Sequence, residues 1–150
     1  STVVPTCVEL AITVRALKEA TRRLLLQRIE ALAHAQAAAF GTTAEVTVDA
    51  NAYPVLYNHP EETDLARSVA LSWLGEDGVV PDMQPMTCSE DFSFMLKACP
   101  GSYLIMGNGQ GTEGGCPLHN PGYDFNDDNL SIGATYWVKL VERFLARPTV

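Results

Sequence analysis

Residues Cys7 to Val14, CVELAITV, alternate roughly between apolar and polar side chains, with Pro5 before them and a charged segment after, which predicts a strand. The period then lengthens. Leu17, Leu24, Leu25, Ile29, Leu32 and Ala33 recur at helical spacing, while Lys18, Glu19, Arg22, Arg23, Arg28 and Glu30 take the other face. Gly41 stands where a C-terminal cap belongs, so a helix is predicted up to it. Ala44 to Asp49, AEVTVD, returns to alternation and predicts a second strand. One apolar helix face over two strands is too little for independent stability, which takes about three strands, so partner strands are expected from sequence upstream.

After Asn51 the texture changes to AYPVLYNHPEE, rich in Pro, Asn and aromatic residues, which reads as a crossover between two packed units and places a domain boundary there. A second amphipathic helix is predicted from about Glu61 to Leu74, closed by Gly75, with turn-rich sequence from Glu76 to Pro85. Ser89 is then a candidate N-cap, with Glu90 and Asp91 in the first turn of a helix that includes Phe92, Phe94, Met95 and Leu96 and ends at Cys99-Pro100-Gly101. Tyr103 to Met106 suits a buried strand, and Gly107 to Pro117 a glycine-rich loop. The last helix is predicted from near Asp128, capped by Asn126 or Asp127, with Ile132, Tyr136, Trp137, Leu140, Val141 and Phe144 facing inward. Alternating strands and helices support an α/β or α+β arrangement.

Composition narrows the class. A hydrophobic fraction of 47% in 150 residues suffices for one ordinary domain or two small pieces of larger ones. No stretch approaches the roughly 18 apolar residues of a membrane span. A net charge of −8 with scattered Lys and Arg lacks the electrostatic footprint of a nucleic-acid binder. Cys7, Cys88, Cys99 and Cys116 show neither a CxxC pair nor finger spacing, which argues against a structural zinc site and leaves a reducing cytoplasm as the expected compartment. The opening Ser-Thr-Val-Val-Pro resembles no signal peptide and looks cut from something longer.

Few residues stand out for chemistry. His119, in Pro117-Leu118-His119-Asn120-Pro121, is held by loop backbone between prolines, a setting that suits a metal ligand, although a single loop histidine is more often an ordinary surface or capping residue. Glu90 and Asp91 are adjacent acids at a predicted helix start, where the macrodipole favours negative charge without catalytic purpose; neighbouring helical residues also point about 100° apart, against convergence on one atom. Arg15 closes the first predicted strand and could present its fork to a substrate carboxylate, or form a surface salt bridge. His34 and His59 read as structural or solvated, and the acids Asp91, Asp124, Asp127 and Asp128 lack EF-hand spacing.

Taken together, VPTCVELAITVRAL, the helix with its AEVTV strand, YPVLYNHPEE, MTCSEDFSFML, PGSYLIMGNG and LHNPGYDFNDDNLSIGATYW resemble the M20 peptidase family. The likeness is narrower still to its branch of hippurate hydrolases and N-acyl-amino-acid or auxin-conjugate amidohydrolases, and it runs in order from near residue 3 to the end. Two small departures are Ala11, where a glycine is usual, and Cys88, in a normally small-residue stretch.

The resemblance implies an α/β fold in two parts: residues 1–51 as the second half of a ferredoxin-like lid domain that usually forms a homodimer contact, and residues 52–150 as the C-terminal part of a zinc-peptidase-like catalytic domain. It implies His119 as the family's last metal ligand, Arg15 as a clamp on the substrate carboxylate, and Glu90 and Asp91 in the active-site vicinity without assigned roles. The implied activity is metal-dependent hydrolysis of the amide bond in N-acyl amino acids, with one or two divalent ions (zinc, manganese, cobalt or nickel). No residue of this chain matches the family's general base. A catalytic metal needs about three protein ligands, so the isolated chain is expected to be inactive; the alternative is a non-catalytic remnant or dimerisation module of the same family.

Overall fold

The structure, a computed structural model, describes residues 4–110 and 115–146. Ser1 to Val3 of the amino-terminal reading, and residues 111–114 of the predicted glycine-rich loop, lie outside the described residues.

The helices form where capping chemistry marks their ends. α1 spans Glu19–Ala39 and stops at a Schellman arrangement. Gly41 takes φ 67°, its N–H donates to the Ala38 carbonyl at 3.1 Å, and the Thr42 N–H donates to the Ala37 carbonyl at 2.9 Å. The predicted cap at Gly41 is borne out. α2 spans Pro60–Leu74. Pro60 opens it at a position whose N–H would have no helical partner anyway, and Gly75, at φ 72°, closes it. A 3-10 turn at Glu76–Gly78 follows; a Cβ on Gly78 would lie 2.6 Å from Leu74 Cβ, so only glycine lets this turn fold back on the helix end.

α3 spans Phe92–Ala98 and begins later than its sequence suggests. Ser89 is not its N-cap: the Ser89 hydroxyl accepts a hydrogen bond from Arg15 instead. Glu90 and Asp91 lie ahead of the helix, their carbonyls accepting from the N–H groups of Ser93 and Phe94 at 3.2 and 3.0 Å. α4 spans Asp128–Leu145. Of its two candidate caps, Asn126 acts through its side chain, whose Oδ1 accepts from the Asp128 N–H at 3.1 Å.

The predicted α/β architecture, with half a ferredoxin-like lid and part of a zinc-peptidase-like domain, is not formed: no strand occurs among the described residues. The reason is pairing. Alternation favours a strand only where a neighbour completes the backbone ladder and a layer covers one face. Cys7 to Val14 finds neither, and Val8, Leu10 and Ile12 stay exposed at 70%, 79% and 62%. After Ala44 to Asp49 the chain turns away, the Asp49 side chain accepting from the Asn51 N–H at 2.8 Å. At Tyr103 to Met106 side chains replace the ladder. The Asn58 carboxamide donates to the Tyr103 carbonyl and accepts from its N–H at 2.9 and 2.8 Å, while His59 accepts from the Gly101 N–H through Nδ1 at 3.2 Å and donates its own N–H to the Gly101 carbonyl at 3.0 Å.

The chain divides into two compact units, Ser1–Leu56 with Gln84–Phe94, and Tyr57–Met83 with Met95–Val150. In the second, α2 and α4 pack together. Ala66 and Val69 are buried on α2, and full burial of a valine stabilises by about 1.5 kcal/mol or more. The Tyr136 hydroxyl donates to the Ala66 carbonyl at 3.1 Å, and the Lys139 ammonium sits 5.9 Å from the Trp73 ring centroid. The predicted inward face of α4 splits in two. Ile132, Tyr136 and Leu140 are half-buried, whereas Trp137, Val141 and Phe144 remain exposed.

Candidate functional site

His119 occupies a turn in the second unit. The Asn120 N–H donates to the Pro117 carbonyl at 3.3 Å, and His119, third of the four residues so closed, has φ 67°. That is the position where a type II turn requires positive φ and ordinarily takes glycine. A histidine tolerates it at a cost of about 1 kcal/mol. The next turn is fastened by Asn120, whose Oδ1 accepts from the Gly122 N–H at 2.8 Å and whose carbonyl accepts from the Tyr123 N–H at 2.9 Å. The imidazole is exposed.

The loop carrying His119 is tied down at its far end. Asn108 donates through Nδ2 to the Asp124 carbonyl at 2.7 Å and accepts at Oδ1 from the Asn126 N–H at 2.9 Å. Asn129, in the first turn of α4, donates to the Gly107 carbonyl at 2.9 Å. A single carboxamide thus satisfies two backbone groups and fixes the approach to α4. Nothing in the local pattern around Asn108 distinguished it from any other loop asparagine.

Arg15, Ser89, Glu90 and Asp91 belong to the first unit. The Arg15 Nη1 donates to Ser89 Oγ across 74 residues of sequence. Glu90 is half-buried and engaged with the start of α3: Oε1 accepts from the Phe92 N–H at 3.3 Å, and its carbonyl accepts from the fully buried Ser93 hydroxyl at 2.6 Å. Asp91 is exposed. The structure therefore brings Arg15 to the residue preceding the acidic pair, an adjacency that reading Ser89 as a helix cap concealed.

Among the described residues, no three His, Cys, Asp or Glu side chains gather closely enough to hold a metal ion. One imidazole can supply one ligand at most, so His119 alone does not make a metal site. The cleft of about 290 Å³ lined by Arg67, Leu71, Glu76, Val79 and Pro81 includes none of the residues singled out from sequence. No helix among the described residues is long and apolar enough to cross a membrane.

Comparison with known proteins gives these features their setting. Residues 2–143 match the model of peptidase family M20/M25/M40, and the chain belongs to that family. It is 31% identical to the hippurate hydrolase of Campylobacter jejuni over 144 residues, covering 95% of this chain and 36% of that protein. It is 28% identical both to thermostable carboxypeptidase 2 of Saccharolobus solfataricus, over 95% of this chain and 35% of the relative, and to an IAA-amino acid hydrolase of Arabidopsis thaliana, over 95% and 33%. The chain thus spans about a third of the length of the curated relatives it matches. No solved structure matches it significantly.

Proposed function

We propose that this chain serves a family-length hydrolase that cleaves the amide bond of N-acyl amino acids. The observation that carries the reading is the match over residues 2–143, joined to relatives named for hydrolysis of hippurate and of an IAA-amino acid. In this reading Arg15 binds the free carboxylate of the amino acid, since an exposed guanidinium matches a carboxylate in shape and charge. Glu90 and Asp91 lie in the vicinity of the active site, with no role assigned to either.

His119 would contribute one ligand to a divalent metal, zinc, manganese, cobalt or nickel, whose remaining ligands come from residues beyond these 150. Such a metal, when bound, activates water and polarises the scissile carbonyl. Neutral imidazole suits all four ions, and a turn that holds histidine where glycine is easier supports a role for the ring itself. The 150 residues alone are accordingly inactive. A homodimer through residues 1–51 and a cytoplasmic location complete the proposal; the four cysteines, all free thiols, accord with a reducing compartment.

The test is turnover. The complete polypeptide carrying this chain, supplied with divalent metal, is expected to release glycine from N-benzoylglycine, and His119→Ala is expected to lower both bound metal and rate. Absence of hydrolysis across a panel of N-acyl amino acids would leave a non-catalytic or dimerisation module as the better reading.

A further inference from the structure

A guanidinium can receive a carboxylate end-on through Nη1 and Nη2, or side-on through Nε and Nη2. In this protein Nη1 donates one of its two hydrogens to Ser89 Oγ, so the end-on fork is already engaged at one prong. The side-on edge is not. Arg15 and Ser89 are both exposed, and among the described residues neither Nε nor Nη2 of Arg15 has a hydrogen-bond or ion-pair partner.

The partner's chemistry matters as much as its position. A serine hydroxyl is neutral, so it fixes the guanidinium without cancelling its charge, whereas a carboxylate in the same place would do both. We infer that Ser89 is a positioning residue that holds Arg15 so that its Nε–Nη2 edge takes the substrate's carboxylate side-on. This deepens the proposed hydrolase reading and rests on Arg15 being the carboxylate clamp. Ser89 does not cap α3, which starts at Phe92, and it is exposed, so its replacement leaves the helix intact.

The experiment compares N-benzoylglycine with its neutral amide, N-benzoylglycinamide, by calorimetry on the complete polypeptide with metal chelated to stop turnover. The unaltered protein should prefer the acid, and Arg15→Ala should abolish that preference. Ser89→Ala should weaken acid binding about three- to tenfold, the scale of the typical net contribution of one hydrogen bond, and leave amide binding unchanged. Ser89→Thr, which keeps the hydroxyl, should restore the preference, and Ser89→Asp should remove it by occupying the charge. With metal restored, Ser89→Ala should raise KM for the acid at constant kcat.

A general structural effect would move both ligands together and would overturn the inference. If Arg15→Ala removes the acid preference while Ser89→Ala keeps it, the positioning role fails and the clamp stands. If Arg15→Ala leaves the preference unchanged, or the unaltered protein has none, the clamp itself fails and the inference with it.

Discussion

His119 carries a backbone conformation that its residue type does not favour, and this separates stability from function at one position. Glycine would adopt φ 67° without Cβ strain. His119→Gly should therefore hold or raise stability, by up to about 1 kcal/mol in urea denaturation, while lowering metal content in the complete polypeptide. A clear loss of stability would mean that the imidazole is held for packing rather than for a ligand. Tyr136 offers a second residue-scale test. Burial raises its pKa above the ordinary 10.0, because the phenolate would lose water and gain no counter-charge. The unfolded chain then releases this proton at lower pH than the folded one, so the contribution is full below about pH 10 and fades as pH rises through the folded value. Tyr136→Phe should flatten that alkaline loss. It should also cost about 1 kcal/mol at neutral pH, through the missing bond to the Ala66 carbonyl.

Between elements, the joints hold the arrangement together. Asn108→Ala removes the side chain that satisfies the Asp124 carbonyl and the Asn126 N–H, and should destabilise by about 1–3 kcal/mol. Hydrogen exchange should show the first turn of α4 opening before α2. What the sequence disclosed at this scale follows the same logic of local against distant. Helix ends depend on backbone groups within a few residues, so Gly41 and Gly75 announced the ends of α1 and α2 correctly, as the pair Asn126 and Asp127 did the start of α4. A strand depends on a ladder that its own residues do not contain, and Cys7 to Val14, Ala44 to Asp49 and Tyr103 to Met106 kept the alternation without the pairing. Ser89 and Asn108 escaped for a related reason. Their partners lie 74 and at least 16 residues away, and no window of local pattern reaches so far. His119 and Arg15 could be singled out by residue type and neighbours, whereas the turn strain of the one and the serine contact of the other became visible only in three dimensions.

For the molecule as a whole, the apolar surface bears on what the chain does alone. α4 carries a second apolar row, Leu130, Trp137, Val141 and Phe144, each more than half exposed, at the three-, four- and seven-residue spacing of one helix face. In the first unit Val8, Leu10, Ile12 and Leu32 are exposed to at least 60%. Single exposed hydrophobics need no explanation, but rows of them mark surfaces suited to contact. A net charge of −8 opposes indiscriminate aggregation. The 150 residues alone should therefore stay dispersed at low salt, bind a dye such as anilinonaphthalene sulfonate strongly, and show no hydrolysis. Raising salt screens the repulsion over about a Debye length and should promote association measurable by light scattering. Trp137→Glu should reduce both dye binding and association, because it interrupts the α4 row at its centre without touching Ile132, Tyr136 or Leu140. In a complete hydrolase of the proposed kind the dye signal should fall, since activity and coverage of these rows would depend on the same additional residues. Strong dye binding by an active protein would separate the two and show that the rows serve another partner.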